Sequence, residues 1–170
     1  MCKANTNPTF IWVTKQEGLG VIKIDADIKD HTKGLRGIYG FFINNTCIYV
    51  GRSQSIYGRI FDNDGYLAIL RAMSIKFKET KEIKYQEKPI PNYLFDAIIA
   101  KEQISIKILE RVPCQFDNYS KDMQRLASAE YKQIDCYQKK GQCLNQLPDG
   151  SNMPLGIWES KSFEAKINNI

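Results

Sequence analysis

The residues best suited to chemistry gather in one short stretch. Gly37-Ile38-Tyr39-Gly40-Phe41-Phe42-Ile43 and Cys47-Ile48-Tyr49-Val50-Gly51 are β-rich runs, and the turn formers Asn44, Asn45 and Thr46 separate them, which reads as a hairpin. With residues 44–46 as a three-residue loop, Phe41 faces Tyr49 and Tyr39 faces Gly51. An odd loop puts Tyr39 and Tyr49 on one face as diagonal neighbours, about 7–8 Å apart and within reach of each other's phenols. A two-residue loop sends them to opposite faces. Arg52, Ser53 and then Ser55-Ile56-Tyr57-Gly58-Arg59 follow. Ser53 can cap a short helix over residues 53–62, with Ile56 and Ile60 inward and Arg59 beside them. A guanidinium there can grip a phosphate through paired hydrogen bonds. The plainer alternative is an ordinary hairpin with half-buried tyrosines.

A carboxylate stands out further along. Residues 120–140 lack Gly and Pro, open near Asp117, Ser120 and Asp122, and close on Lys139-Lys140-Gly141. They read as a capped helix of about five turns. Met123, Leu126, Ala127, Ile134 and Tyr137 form its apolar stripe, and Glu130 falls near the stripe's centre. An ionised carboxylate there costs several kcal/mol of order unless it is paired or bound to a metal. An ion pair with a Lys or Arg at the core edge is the structural alternative. The small neighbours Ala127, Ser128 and Ala129 leave room for other groups to approach.

The two runs from Gly37 to Ser53, with Arg59 ten residues after Tyr49, resemble the signature of the GIY-YIG endonucleases. The full spacing through Ser53 and Arg59 favours the nuclease reading over a plain hairpin. The resemblance covers roughly residues 34–150. It implies a divalent-metal-dependent endonuclease acting on double-stranded DNA, with Mg²⁺, or Mn²⁺ in its stead, on Glu130. It further implies Arg59 on the scissile phosphate, Tyr39 or Tyr49 as general base, and Asn145 as a hydrogen-bonding partner of the site or the DNA backbone. Arg52 and Lys33 are electrostatic helpers. The chain departs from the family pattern four residues after the helix arginine, where Asn63 replaces the usual His or Tyr. Tyr57 and Tyr66 are the candidates to fill that place.

The chain has 170 residues, 43% apolar and 25% charged, which suits one globular domain with additions. Its five cysteines are odd in number and lack a Cys-x-x-Cys pair, and they accompany a single exposed-type histidine, His31, so zinc and a disulfide framework are disfavoured. The apolar run Phe10-Ile11-Trp12-Val13 is too short for a signal peptide or a membrane span. A cytoplasmic protein without membrane association is expected, and homodimerisation stays open. The net charge is +5, and residues 71–88 alone hold six basic residues against three acidic, or +3. Lys76, Lys78, Lys81, Lys84 and Lys88 lie in that segment with Phe77 and Tyr85 between them, which suits phosphate contacts. A solvated surface is the alternative.

These features define an α+β fold, a small central sheet of about three core strands with flanking helices, resembling the GIY-YIG nucleases. Residues 1–33 form an N-terminal extension in which Val21-Ile22-Lys23-Ile24 can extend the sheet or cover an edge. Residues 34–150 make the nuclease-like domain, with a basic insertion at about 64–91. Residues 92–101 read as a helix, Ile104-Ser105-Ile106-Lys107-Ile108-Leu109 as a central strand, and 151–170 as a tail docked through Ile157 and Trp158. That plan resembles the compact restriction enzymes of the family, with a stand-alone repair or mobile-element nuclease as one alternative. A non-catalytic nucleic-acid-binding module on a degenerate nuclease fold is the other.

Overall fold

The computed structural model describes residues 8–14, 19–143, 146–147 and 153–168. The β-rich runs become β1 (Pro8–Trp12), β2 (Val21–Asp25), β3 (Gly37–Ile43), β4 (Thr46–Ser53) and β5 (Ile104–Arg111). They form one sheet in the order β1-β2-β5-β3-β4, in which β2 runs parallel to β5 and the other pairs are antiparallel. The fold is α+β, but the sheet has five strands rather than about three. The N-terminal segment accounts for the difference. Ile22 and Ile24 pair beside Ile104 and Ile106 and are wholly buried, so β2 covers the free side of β5 and β1 then covers β2.

Among the described residues six helices flank the sheet: α1 (Ala26–Lys29), α2 (Ile56–Phe61), α3 (Tyr66–Thr80), α4 (Pro89–Ile99), α5 (Tyr119–Gln138) and α6 (Leu155–Ile167). Strand alternation divides the core in two. On one face Tyr39 and Phe41 meet Ile56 and Ile60 of α2, Leu67 and Leu70 of α3, and Leu94 and Phe95 of α4. On the other, Ile38, Phe42 and Val50 meet Leu126, Ala129, Ile134 and Tyr137 of α5. The segment read as a basic insertion thus contains α3, which buries Leu67, Leu70 and Met73 in the main core and turns Lys76 outward while Lys78 is half-buried.

Local chemistry shifts some boundaries. The cap of α2 is Ser55, whose Oγ accepts from the Gly58 N–H (3.1 Å), whereas Ser53 holds the Ser55 backbone. The close approach at Gly58 comes from Asp62 and Ser55, which a Cβ there would meet at 2.7 and 3.2 Å. Asn118 caps α5. In the tail Trp158 docks and donates from Nε1 to Asp122 Oδ2 (3.1 Å), while Ile157 remains 51% exposed. The α6 turn allows only one of two adjacent residues to face the body. No helix among the described residues is long and apolar enough to cross a membrane.

Candidate functional site

The hairpin reaches its expected register by a different route. Its turn is two residues, Asn44 and Asn45, with φ of 49° and 66°, the left-handed pair that a tight hairpin turn requires and that Asn tolerates. Taken alone, such a turn would send Tyr39 and Tyr49 to opposite faces. A β-bulge between Phe41 and Phe42 restores the parity, because Phe42 pairs with Cys47, Phe41 with Tyr49, and Ile48 is the extra residue. Tyr39 therefore faces Gly51 as expected, and the two tyrosine rings share a face with centroids 6.3 Å apart.

Gly51 makes that arrangement possible. A Cβ there would stand 2.8 Å from the Tyr39 hydroxyl oxygen and 2.7 Å from Tyr49 Cε1, so both rings close over bare backbone. Tyr39 is 1% exposed. Burial pushes its phenol well above the usual tyrosine range, Tyr66 and Tyr49 push the same way, and Arg59 opposes them. Tyr66, at the start of α3, hydrogen-bonds Tyr39 and packs edge-on against Phe41 at 4.6 Å. Tyr57 instead stacks on Phe61 and leans toward His31. Of the two tyrosines expected to fill the place of Asn63, Tyr66 stands beside Tyr39, and Asn63 itself sits exposed in the connection between α2 and α3.

Glu130 meets β4 one residue further on. β4 is the sheet's outer strand, and its outward amides are satisfied by side chains from α5 and the segment after it. Cys47 N–H donates to Gln142 Oε1 (2.8 Å), Val50 N–H to Gln146 Oε1 (2.8 Å), and Arg52 N–H to Glu130 Oε1 (3.2 Å). Gln146 also donates from Nε2 to the Val50 carbonyl, so its amide imitates a sixth strand. Gln138 holds the segment from below through the Cys143 and Gln146 carbonyls. The Glu130 carboxylate is 1% exposed, and Arg52 Nε lies 3.5 Å from its Oε2. The core-edge partner of the stripe carboxylate is thus Arg52. At the other end of β4 the Cys143 thiol donates to the Cys47 carbonyl (3.1 Å); its proximity drives the Cys47 thiol far up and holds Cys143 below the usual thiol range.

A cleft of about 1280 Å³ opens along β4, lined among others by Tyr39, Tyr49, Arg52, Arg59 and Tyr66. The structure brings these five together, and Glu130 is linked to the cleft through Arg52. Lys33 lies elsewhere, 2.9 Å from Asp27 and 3.9 Å from Asp30. Lys76 pairs with Glu79 (3.8 Å), and Lys76, Lys81 and Lys84 are exposed while Lys78 is half-buried. None of the four is in the cleft lining. Asn145 lies outside the described residues. Tyr93 of the α4 wall, Gln142 and Gln146 were not anticipated, and Lys88 was foreseen only as one of the basic residues of 71–88. Tyr93 had a signal, an aromatic residue off the buried phase of an amphipathic helix, whereas the glutamines carried none.

No group of three or more His, Cys, Asp or Glu able to hold a metal occurs among the described residues. The donor chemistry at Glu130 fits a hard divalent ion held by one protein carboxylate, waters and phosphate oxygens. For Glu130 to hold such an ion, the Arg52 side chain would have to give up its contact with Oε2. No protein-family model, curated protein or solved structure matches the chain.

Proposed function

We propose that the protein is a divalent-metal-dependent DNA endonuclease of the GIY-YIG type, with the β4 cleft as its active site. The observation that carries the reading is the convergence of Tyr39 and Tyr49 over Gly51, with Arg59 on the same cleft and Glu130 behind Arg52. A Mg²⁺ on Glu130, when bound, supplies polarisation of the phosphate and stabilisation of the leaving oxygen. Arg59, exposed on the last turn of α2, binds the scissile phosphate bidentately. Arg52, released from Glu130, adds a second cation. The Tyr39 phenol keeps its proton at neutral pH and serves as a hydrogen-bond donor; this leaves Tyr49, half-buried in the cleft wall, as the group that accepts the proton of the attacking water, which it does as the phenolate, a form that the positive charge of Arg59 and of a bound metal would favour. The compact plan favours a restriction-type enzyme on duplex DNA.

A second reading has its own support. Asn63 stands where the GIY-YIG pattern has His or Tyr, which suits a non-catalytic DNA-binding module on the same fold. Incubation of the purified protein with supercoiled plasmid separates the two. Nicked or linear product that requires Mg²⁺ or Mn²⁺ and vanishes with EDTA is expected, and a discrete fragment pattern would support restriction. Binding without cleavage across those metals would leave the module.

A further inference from the structure

A phosphodiester needs cations and donors, and Arg52 and Arg59 supply them on one side of the cleft. The α4 side is of another kind. It presents Ile90, Tyr93 and Ala97, with Lys88 at the helix start, and two carboxylates that would repel a phosphate, Asp96, which accepts from the Tyr85 hydroxyl, and Glu102, which accepts from the Asn44 side chain. Tyr93 is 57% exposed because the helix turns its neighbours Leu94 and Phe95 fully into the core and leaves the phenol ring facing the cleft. Apolar and aromatic surface gains nothing from a phosphate. It gains from a flat, weakly polar group, and in a nucleic acid that group is the base, since every base offers a π-face to an aromatic side chain. The cleft, at about 1280 Å³, also exceeds the usual range of about 300–1,000 Å³ for a small-molecule site.

We propose that the α4 wall is a nucleobase subsite. Tyr93 stacks a base that has left the helix beside the scissile phosphate, and Lys88 holds the next phosphate along. This rests on the reading of the cleft as a DNA site and narrows its substrate. Extruding a base from continuous duplex costs a few kcal/mol, least where it is already unpaired. The favoured substrate class is therefore duplex DNA with an unpaired or mismatched nucleotide beside the cut, which sets a repair-type role above the restriction-type one.

The test is binding in EDTA, where hydrolysis plays no part. Wild-type protein is titrated onto duplexes carrying 2-aminopurine in a single-nucleotide bulge or in continuous pairing. Tighter binding of the bulge, with quenching of the 2-aminopurine, is expected. Tyr93→Ala should weaken bulge binding roughly 5- to 150-fold and leave continuous duplex unchanged. Tyr93→Phe, which keeps the ring, should restore it. Equal affinity for the two duplexes, or a Tyr93→Ala protein that loses nothing on the bulge, would overturn the subsite. Bulge preference with the Tyr93 effect but no cleavage in Mg²⁺ would support the subsite and overturn the hydrolase reading. Metal-dependent cleavage without bulge preference would do the reverse.

Discussion

At the scale of single residues, Gly51 and the two tyrosines set the chemistry. Gly51→Ala forces a methyl group to within 3 Å of both rings, and Tyr39 is sealed in the core and cannot swing away. The substitution should cost about 1–3 kcal/mol of stability, read by denaturant unfolding, and impair cleavage as well. Wild-type stability would show that the rings are free to part. Tyr39→Phe and Tyr49→Phe should differ, with Tyr49→Phe losing more turnover, because the buried Tyr39 phenol holds its proton too tightly to act as a base. Equal losses would contradict that division. The same raised pKa has a consequence for stability. A phenol whose folded value lies above its unfolded one contributes stability that is full below the unfolded value of about 10 and is lost as pH climbs from there through the folded value. Melting curves across the alkaline range should show a steeper fall for wild type than for Tyr39→Phe, and parallel curves would refute the shift.

Elements position these residues, and their reading from sequence succeeded where periodicity spoke and failed where a side chain decided. The hairpin register was legible because Tyr39 and Gly51, and Phe41 and Tyr49, face each other in any odd-parity connection. The actual connection was not, since a bulge at Ile48 leaves no sequence mark distinct from a longer loop. The helical phase of Glu130 foretold its burial, and its arginine partner was foreseen as a type but not as Arg52, because that pairing depends on how α5 crosses β4. β2 was legible as a strand from its apolar alternation. Its parallel pairing with β5 was not, because that is a long-range choice. The docking of α6 was half legible, through Trp158. What anchors it is Asp122, fully buried and shared by Arg36 (3.4 Å), Arg125 (3.2 Å) and the Trp158 indole. Arg36 also donates to Gln54 and to the Val112 carbonyl, so one ion pair ties the hairpin base to α5 and the tail. Asp122→Ala would strand a guanidinium that is 4% exposed, and a loss of about 3–5 kcal/mol is expected. Calorimetry showing a change under about 1 kcal/mol, the range of exposed pairs, would mean that the network adds little.

For the whole molecule, a net charge of +5 suits a polyanionic partner, and its distribution can be tested. If the lysines of α3 and the following loop touch duplex DNA, changing Lys76, Lys78, Lys81 and Lys84 together to Ala should reduce the log–log salt slope of binding by about 0.9 per lost contact. An unchanged slope would assign that surface to solvent and leave Lys88, Arg52 and Arg59 as the phosphate path. On the proposed function, Glu130, buried behind Arg52, is where a metal makes this fold a hydrolase. The most direct measurement compares wild type with Glu130→Gln in both plasmid cleavage and Mg²⁺- or Mn²⁺-dependent thermal stability. The expected result is a metal-induced rise in melting temperature for wild type only, with DNA affinity kept and cleavage reduced at least roughly 100-fold in the variant. A Glu130→Gln protein that still cuts at the wild-type rate, or that shows the same metal-dependent stabilisation, would contradict it.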